Sequence, residues 1–88
     1  MKDLELKNDF TLFGLVKRES TEQIKKWGIQ DHTSFEWMIY LTEEHGELAK
    51  AISEYEYRNG SAEDVVAEAI QVATLSLKIA EMYMEKRK

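Results

Sequence analysis

Two glutamates sit where apolar side chains are expected, and three further oxygen-bearing side chains lie at the edge of the same pattern. Glu43, Glu44 and Glu47 share one helical stretch, and Glu68 and Gln71 share another. With each residue advanced by about 100° around a helix, Glu44 falls inside the apolar seam of Trp37, Leu41 and Leu48, with Glu43 and Glu47 along its edge. Glu68 falls in the stripe Glu68, Val72, Leu75, Ile79, and Gln71 lies one turn away. An ionised carboxylate buried without a partner costs several kcal/mol or stays neutral, so Glu44 and Glu68 each need something to balance them. A lysine or arginine partner would do it, as would a helix edge less buried than the pattern implies. A divalent cation is the third answer, because acids at i, i+3 on two helices can surround a hard ion with oxygen. Magnesium, with manganese as a substitute, fits a few carboxylates plus water and phosphate. Zinc is disfavoured by the absence of cysteine and the presence of only two histidines.

Three helices must position these groups. The first is expected from about Asp9 to Trp27, with Asn8 or Asp9 as cap and Gly28 as stop. Phe10, Phe13, Val16, Ile24 and Trp27 form its apolar side, and Ser20-Thr21 is a candidate kink. Thr33 and Glu36 spell a capping box that opens the second helix, which runs to about Arg58 with Trp37, Leu41, Leu48, Ile52 and Tyr55 as seam. Asn59-Gly60 stops it, and Ser61 with Asp64 caps a third helix that continues to about Lys86. So short a connection makes helices two and three antiparallel neighbours. The third helix has a very wide apolar arc, leaving Glu63, Gln71, Thr74, Lys78, Glu81 and Glu85 as its polar strip. The expectation is one all-α domain over residues 1–88, with 1–8 a loose arm. It is an antiparallel helical bundle completed by oligomerisation, because that arc is too wide for two neighbours to cover.

Composition narrows the function classes. A chain of 88 residues with 43% hydrophobic and 33% charged residues folds as one domain with a modest core. The formal net charge of −5 argues against nucleic acid as partner. The uncharged stretch Ala69 to Leu77 is too short to span a membrane. Met1-Lys2-Asp3-Leu4-Glu5 lacks the apolar core of a secretory leader, so a cytoplasmic location is expected.

Glu43-Glu44-His45-Gly46-Glu47-Leu48 resembles the Glu-Glu-x-x-Glu motif of the MazG-like, all-α nucleoside triphosphate pyrophosphohydrolases. Glu68-Ala69-Ile70-Gln71 stands where that family has Glu-x-x-Asp, and Lys26-Trp27-Gly28-Ile29-Gln30-Asp31-His32 is similar to the stretch preceding the motif in small members. The resemblance covers roughly Arg18 to Ala80. It implies a hydrolase, assembled as a homodimer or homotetramer, that uses magnesium to cleave an NTP or dNTP to the monophosphate and pyrophosphate. It implies Glu44, Glu47 and Glu68 as metal ligands, with Glu43 placed to orient or deprotonate the attacking water. Gln71 replaces the family's aspartate; its amide oxygen can bind a hard cation but brings no charge. Trp27, His32 and Trp37 flank the first loop as candidates for contacting a base, and Lys50 as a candidate for contacting phosphate. For the tryptophans the competing role is core packing, and for His32 and Lys50 it is a solvated surface. The alternative function is a catalytically weak or inactive helical module that binds nucleotide or only dimerises.

Overall fold

Local signals set the helix ends. The structure, a computed structural model, describes residues 5–28 and 31–86 and contains three helices: α1 (Asp9–Trp27), α2 (Ser34–Tyr57) and α3 (Ala62–Lys86). The arm expected over residues 1–8 lies partly outside the described residues, and its residues 5–8 are exposed. Thr33 N donates to Glu36 Oε1 at 2.8 Å and Glu36 N donates to Thr33 Oγ1 at 3.2 Å, closing the capping box. Asp64 N donates to Ser61 Oγ at 3.1 Å and starts α3. Asn59 adopts φ 60, and Gly60 N reaches back to Glu54 O at 2.8 Å to end α2. A Cβ on Gly60 would meet the Glu54 backbone at 2.9 Å, so only glycine allows this approach. Ser20-Thr21 does not break α1: the helix is continuous, and Thr21 Oγ1 folds back onto Lys17 O at 3.0 Å.

α3 is the central element. Contacts pair α2 with α3 and α1 with α3, while no Cα of α1 comes within 8 Å of one in α2. Tyr83 OH donates to Ser34 Oγ at 3.0 Å at one end of the α2–α3 pair, and Lys78 lies over the Trp37 ring further along. As the residue number rises on α2 its partner's number falls on α3, which makes the two helices antiparallel.

The packing faces differ from those expected. On α1, Val16 of the expected seam is half-buried as expected, together with Leu12, Leu15, Glu19 and Gln23, whereas Phe10, Phe13, Ile24 and Trp27 of that seam are exposed. On α3 the expected polar strip is partly interior: Thr74 is only 1% exposed and Gln71 and Lys78 are half-buried. The reason is that α1 and α2 both lie on that side. Thr74 is accommodated because its hydroxyl donates to Ile70 O at 2.8 Å, so no polar atom is left unsatisfied. Leu75 is the buried hydrophobic residue, and Val66, Leu77 and Met84 on the opposite side of α3 are open.

Candidate functional site

Because α1 and α2 both pack on α3 with their backbones apart, a cleft of about 540 Å3 opens between them. That lies within the range of about 300 to 1,000 Å3 typical of small-molecule sites. Its aromatic end is built from the α1–α2 loop and the first turns of α2. His32 meets Trp37 edge-on at 4.9 Å and Tyr40 at 5.1 Å, and Trp37 and Tyr40 lie 6.2 Å apart. Trp27 lines the same end from α1. Three of the four residues expected to contact substrate, Trp27, His32 and Trp37, thus share one wall, while Lys50 is exposed on α2 away from the cleft.

The acidic end lies where α2 faces α3. Glu44 lines the cleft and Glu68 approaches it across the helix pair. Glu44 Oε2 and Glu68 Oε2 are both buried, and neither has a hydrogen-bond donor. Burial pushes the Glu44 carboxyl up from its ordinary value of 4.5, and a side-chain hydrogen bond with Glu68 raises it next. Like charge from Glu68, Glu47 and Glu19 adds to this, so at lower pH the two acids can share a proton. Glu43 and Gln71 also line the cleft, and Glu47 is exposed on the same flank. Two facing carboxylate oxygens could be satisfied by a shared proton or could supply part of the oxygen shell of a hard divalent cation. Among the described residues no three acids or histidines are gathered into a ready-made metal group. What the fold offers is therefore the Glu44–Glu68 pair, with Glu47 and Gln71 one turn away on their respective helices.

α1 brings in residues that the sequence reading did not single out. Gln23 Nε2 donates to Glu19 Oε2 at 2.9 Å, and Lys78 Nζ of α3 donates to Gln23 Oε1. Lys78 also lies 5.5 Å from the Trp37 ring centroid. Burial lowers its ammonium from the usual lysine range, and the Glu19 carboxylate pulls it partly back. A signal for these residues existed. Gln71, Thr74 and Lys78 recur at i, i+3 and i+7, as a packed stripe does, and Glu19 and Gln23 are one turn apart.

Family models, characterised proteins and solved structures yield no match to this chain. The case for a function therefore rests on the cleft and on the motif residues within and beside it.

Proposed function

We infer that this protein is a magnesium-dependent pyrophosphohydrolase of the MazG-like kind, converting a nucleoside or deoxynucleoside triphosphate to the monophosphate and pyrophosphate. The observation that carries this reading is the pair of buried, unpartnered oxygens of Glu44, which lines a cleft with aromatic walls, and Glu68, which faces Glu44 across the helix pair. A triphosphate brings about four negative charges, and an acidic site repels it unless a cation stands between them. Glu44 and Glu68, helped by Glu47 and Gln71, are the residues that would hold magnesium, with manganese as a substitute. The ion supplies charge neutralisation and Lewis acidity.

The chain's own residues do the rest. Trp27, Trp37 and Tyr40 offer ring faces and edges to a base, and His32 offers a ring nitrogen. Glu43, exposed at the cleft wall, is free to take the proton of a water attacking the α-phosphorus. The bond between that phosphorus and its bridging oxygen breaks, and pyrophosphate leaves.

The working unit in this reading is a homodimer or homotetramer. The chain exposes 7539 Å2, against about 5,400 Å2 expected for a folded monomer of its mass. The surplus of about 2,100 Å2 exceeds the roughly 800 Å2 that each partner buries in a standard interface. A radius of gyration of 14.4 Å, against about 12 Å for a compact chain of this length, describes the same openness.

The test is a pyrophosphate-release screen of canonical and modified NTPs and dNTPs with magnesium or manganese. Release of pyrophosphate with the matching monophosphate supports the reading. Binding of nucleotide without any product would favour the inactive-module alternative, to which the neutral Gln71 lends itself.

A further inference from the structure

We propose that Lys78 binds the polyphosphate chain of the ligand in the cleft. Ligand identity rests on the nucleotide reading above, but the anion site stands on its own geometry.

The first observation is placement. Lys78 lines the same cleft as Glu44 and Trp37, seven residues beyond Gln71, or roughly 10 Å along α3. Glu19 acts electrostatically on both Lys78 and Glu44, so these three charges surround one volume. Lys78 therefore stands at the aromatic end, against the Trp37 ring and about two helical turns from Gln71, within reach of phosphates attached to a base bound there.

The second observation is sign. Lys78 is the one lysine or arginine along the cleft among the described residues; Asp31, Glu43, Glu44 and Glu81 supply the other formal charges. A polyanion entering this space meets a single fixed positive group.

The third is the state of the ammonium. A lysine on a helix surface ordinarily keeps its head in water. This one is half-buried, and its neighbours are an amide oxygen and an aromatic face. Among the described residues it forms no ion pair. Burial disfavours its charge, as its lowered proton affinity reflects. A helix with purely structural needs would place a leucine or methionine here. Gln23 is oriented by its own bond to Glu19, which turns its carbonyl oxygen toward Lys78 and holds the amine inside the cleft. Two of the three ammonium hydrogens then remain to reach a phosphate oxygen.

The experiment uses the full chain and inorganic tripolyphosphate in millimolar magnesium, titrated calorimetrically. Wild type is expected to bind, Lys78→Met to bind at least about tenfold more weakly, and Lys78→Arg to stay within about threefold of wild type. A second measurement needs no variant: acetylation of Lys78 in wild type, read by mass spectrometry, should fall about fivefold or more on adding tripolyphosphate, while that of exposed Lys50 stays unchanged. Equal affinity of wild type and Lys78→Met, no binding by wild type, or unchanged labelling of Lys78 would each overturn the proposal. Pyrophosphate release with the same KM in wild type and Lys78→Met leaves the enzyme and removes Lys78 from the site. Lys78-dependent binding of tripolyphosphate, with no nucleotide turned over, keeps the anion site and removes the activity.

Discussion

The two faces of α3 differ in an unusual way: polar residues join Val72, Leu75, Ile79 and Met82 on the covered face, while several apolar ones stay open on the other. Its inner face presents Glu68, Gln71, Thr74 and Lys78 to the cleft and to the neighbouring helices, around the buried Leu75. Its outer face presents Val66, Ala69, Leu77 and Met84 to solvent, with Leu77 51% exposed where Thr74 is 1% exposed. The difference teaches that the two faces can be tested apart: under the proposed function the inner face would serve a ligand and the open apolar face a second copy of the chain. Breaking one should leave the other intact.

The largest effect is expected from the outer face. Leu77→Lys puts a charge in the middle of the stripe running from Val66 to Met84, and it should reduce the mass seen by light scattering to that of one chain. The accompanying loss of stability should be at least about 2 kcal/mol per chain, the scale of a central interface residue. An unchanged mass would mean that the outer face is not the contact.

The inner face should respond next, and through magnesium. In wild type a hundredfold excess of magnesium over its dissociation constant stabilises by roughly 2.7 kcal/mol, as ligand linkage requires. Glu68→Gln should lose most of that gain while making the metal-free chain more stable, by on the order of 1 kcal/mol for a half-buried acid relieved of a like charge. The pH dependence has a definite sign. The Glu44 carboxyl is raised by burial and then by Glu68, so the folded chain takes up its proton more readily than the unfolded one. Metal-free protein should therefore gain stability as pH falls from neutral toward 4.5, the ordinary glutamate value, and lose it as pH rises through the raised folded value. Glu36 works in the opposite direction and in a lower window, because the Thr33 backbone bond lowers its carboxyl below that value. Melting curves of wild type and Glu44→Gln across this range in chelator separate the two. Parallel curves would mean that Glu44 is not the titrating group.

What could be read from the chain follows from where each determinant lies. Thr33 with Glu36, Ser61 with Asp64, and Asn59-Gly60 are local devices, and each operates where its residues stand. Glu44 was legible for a different reason: a charge inside an apolar stripe demands compensation whatever the fold. The packing face of α1 was not legible. A helical wheel finds the apolar side holding Phe13 and Ile24, but it cannot say whether a neighbour in the same chain covers it, and here α1 packs through Leu12, Leu15 and Glu19 instead. Lys78 was missed on the same ground. A polar strip on a helix ordinarily faces solvent, whereas the stripe Gln71, Thr74, Lys78 faces the cleft and core because α1 leans on it.

The smallest effect belongs to Gln71, and it sharpens the account of the inner face most. Gln71 is half-buried at the cleft wall, one turn from Glu68 on the same side of α3. If the acid pair holds a divalent cation there, Gln71→Asp replaces a neutral oxygen with a charged one beside it, and magnesium affinity should rise about three- to tenfold. Without metal the new carboxylate adds repulsion toward Glu68, and like charges at helical spacing cost roughly 0.2 to 0.5 kcal/mol. The variant should thus be slightly less stable than wild type in chelator and more stable in excess magnesium, so the two melting curves cross as magnesium is added. Turnover carries less information, since a tighter cation favours the triphosphate while an added negative charge opposes it. Magnesium titration at fixed ionic strength is therefore the deciding measurement. Equal affinities with no loss of stability in chelator would mean that Gln71 does not face the cation, and the metal would then have to be sought on the α2 side of the pair, around Glu43, Glu44 and Glu47.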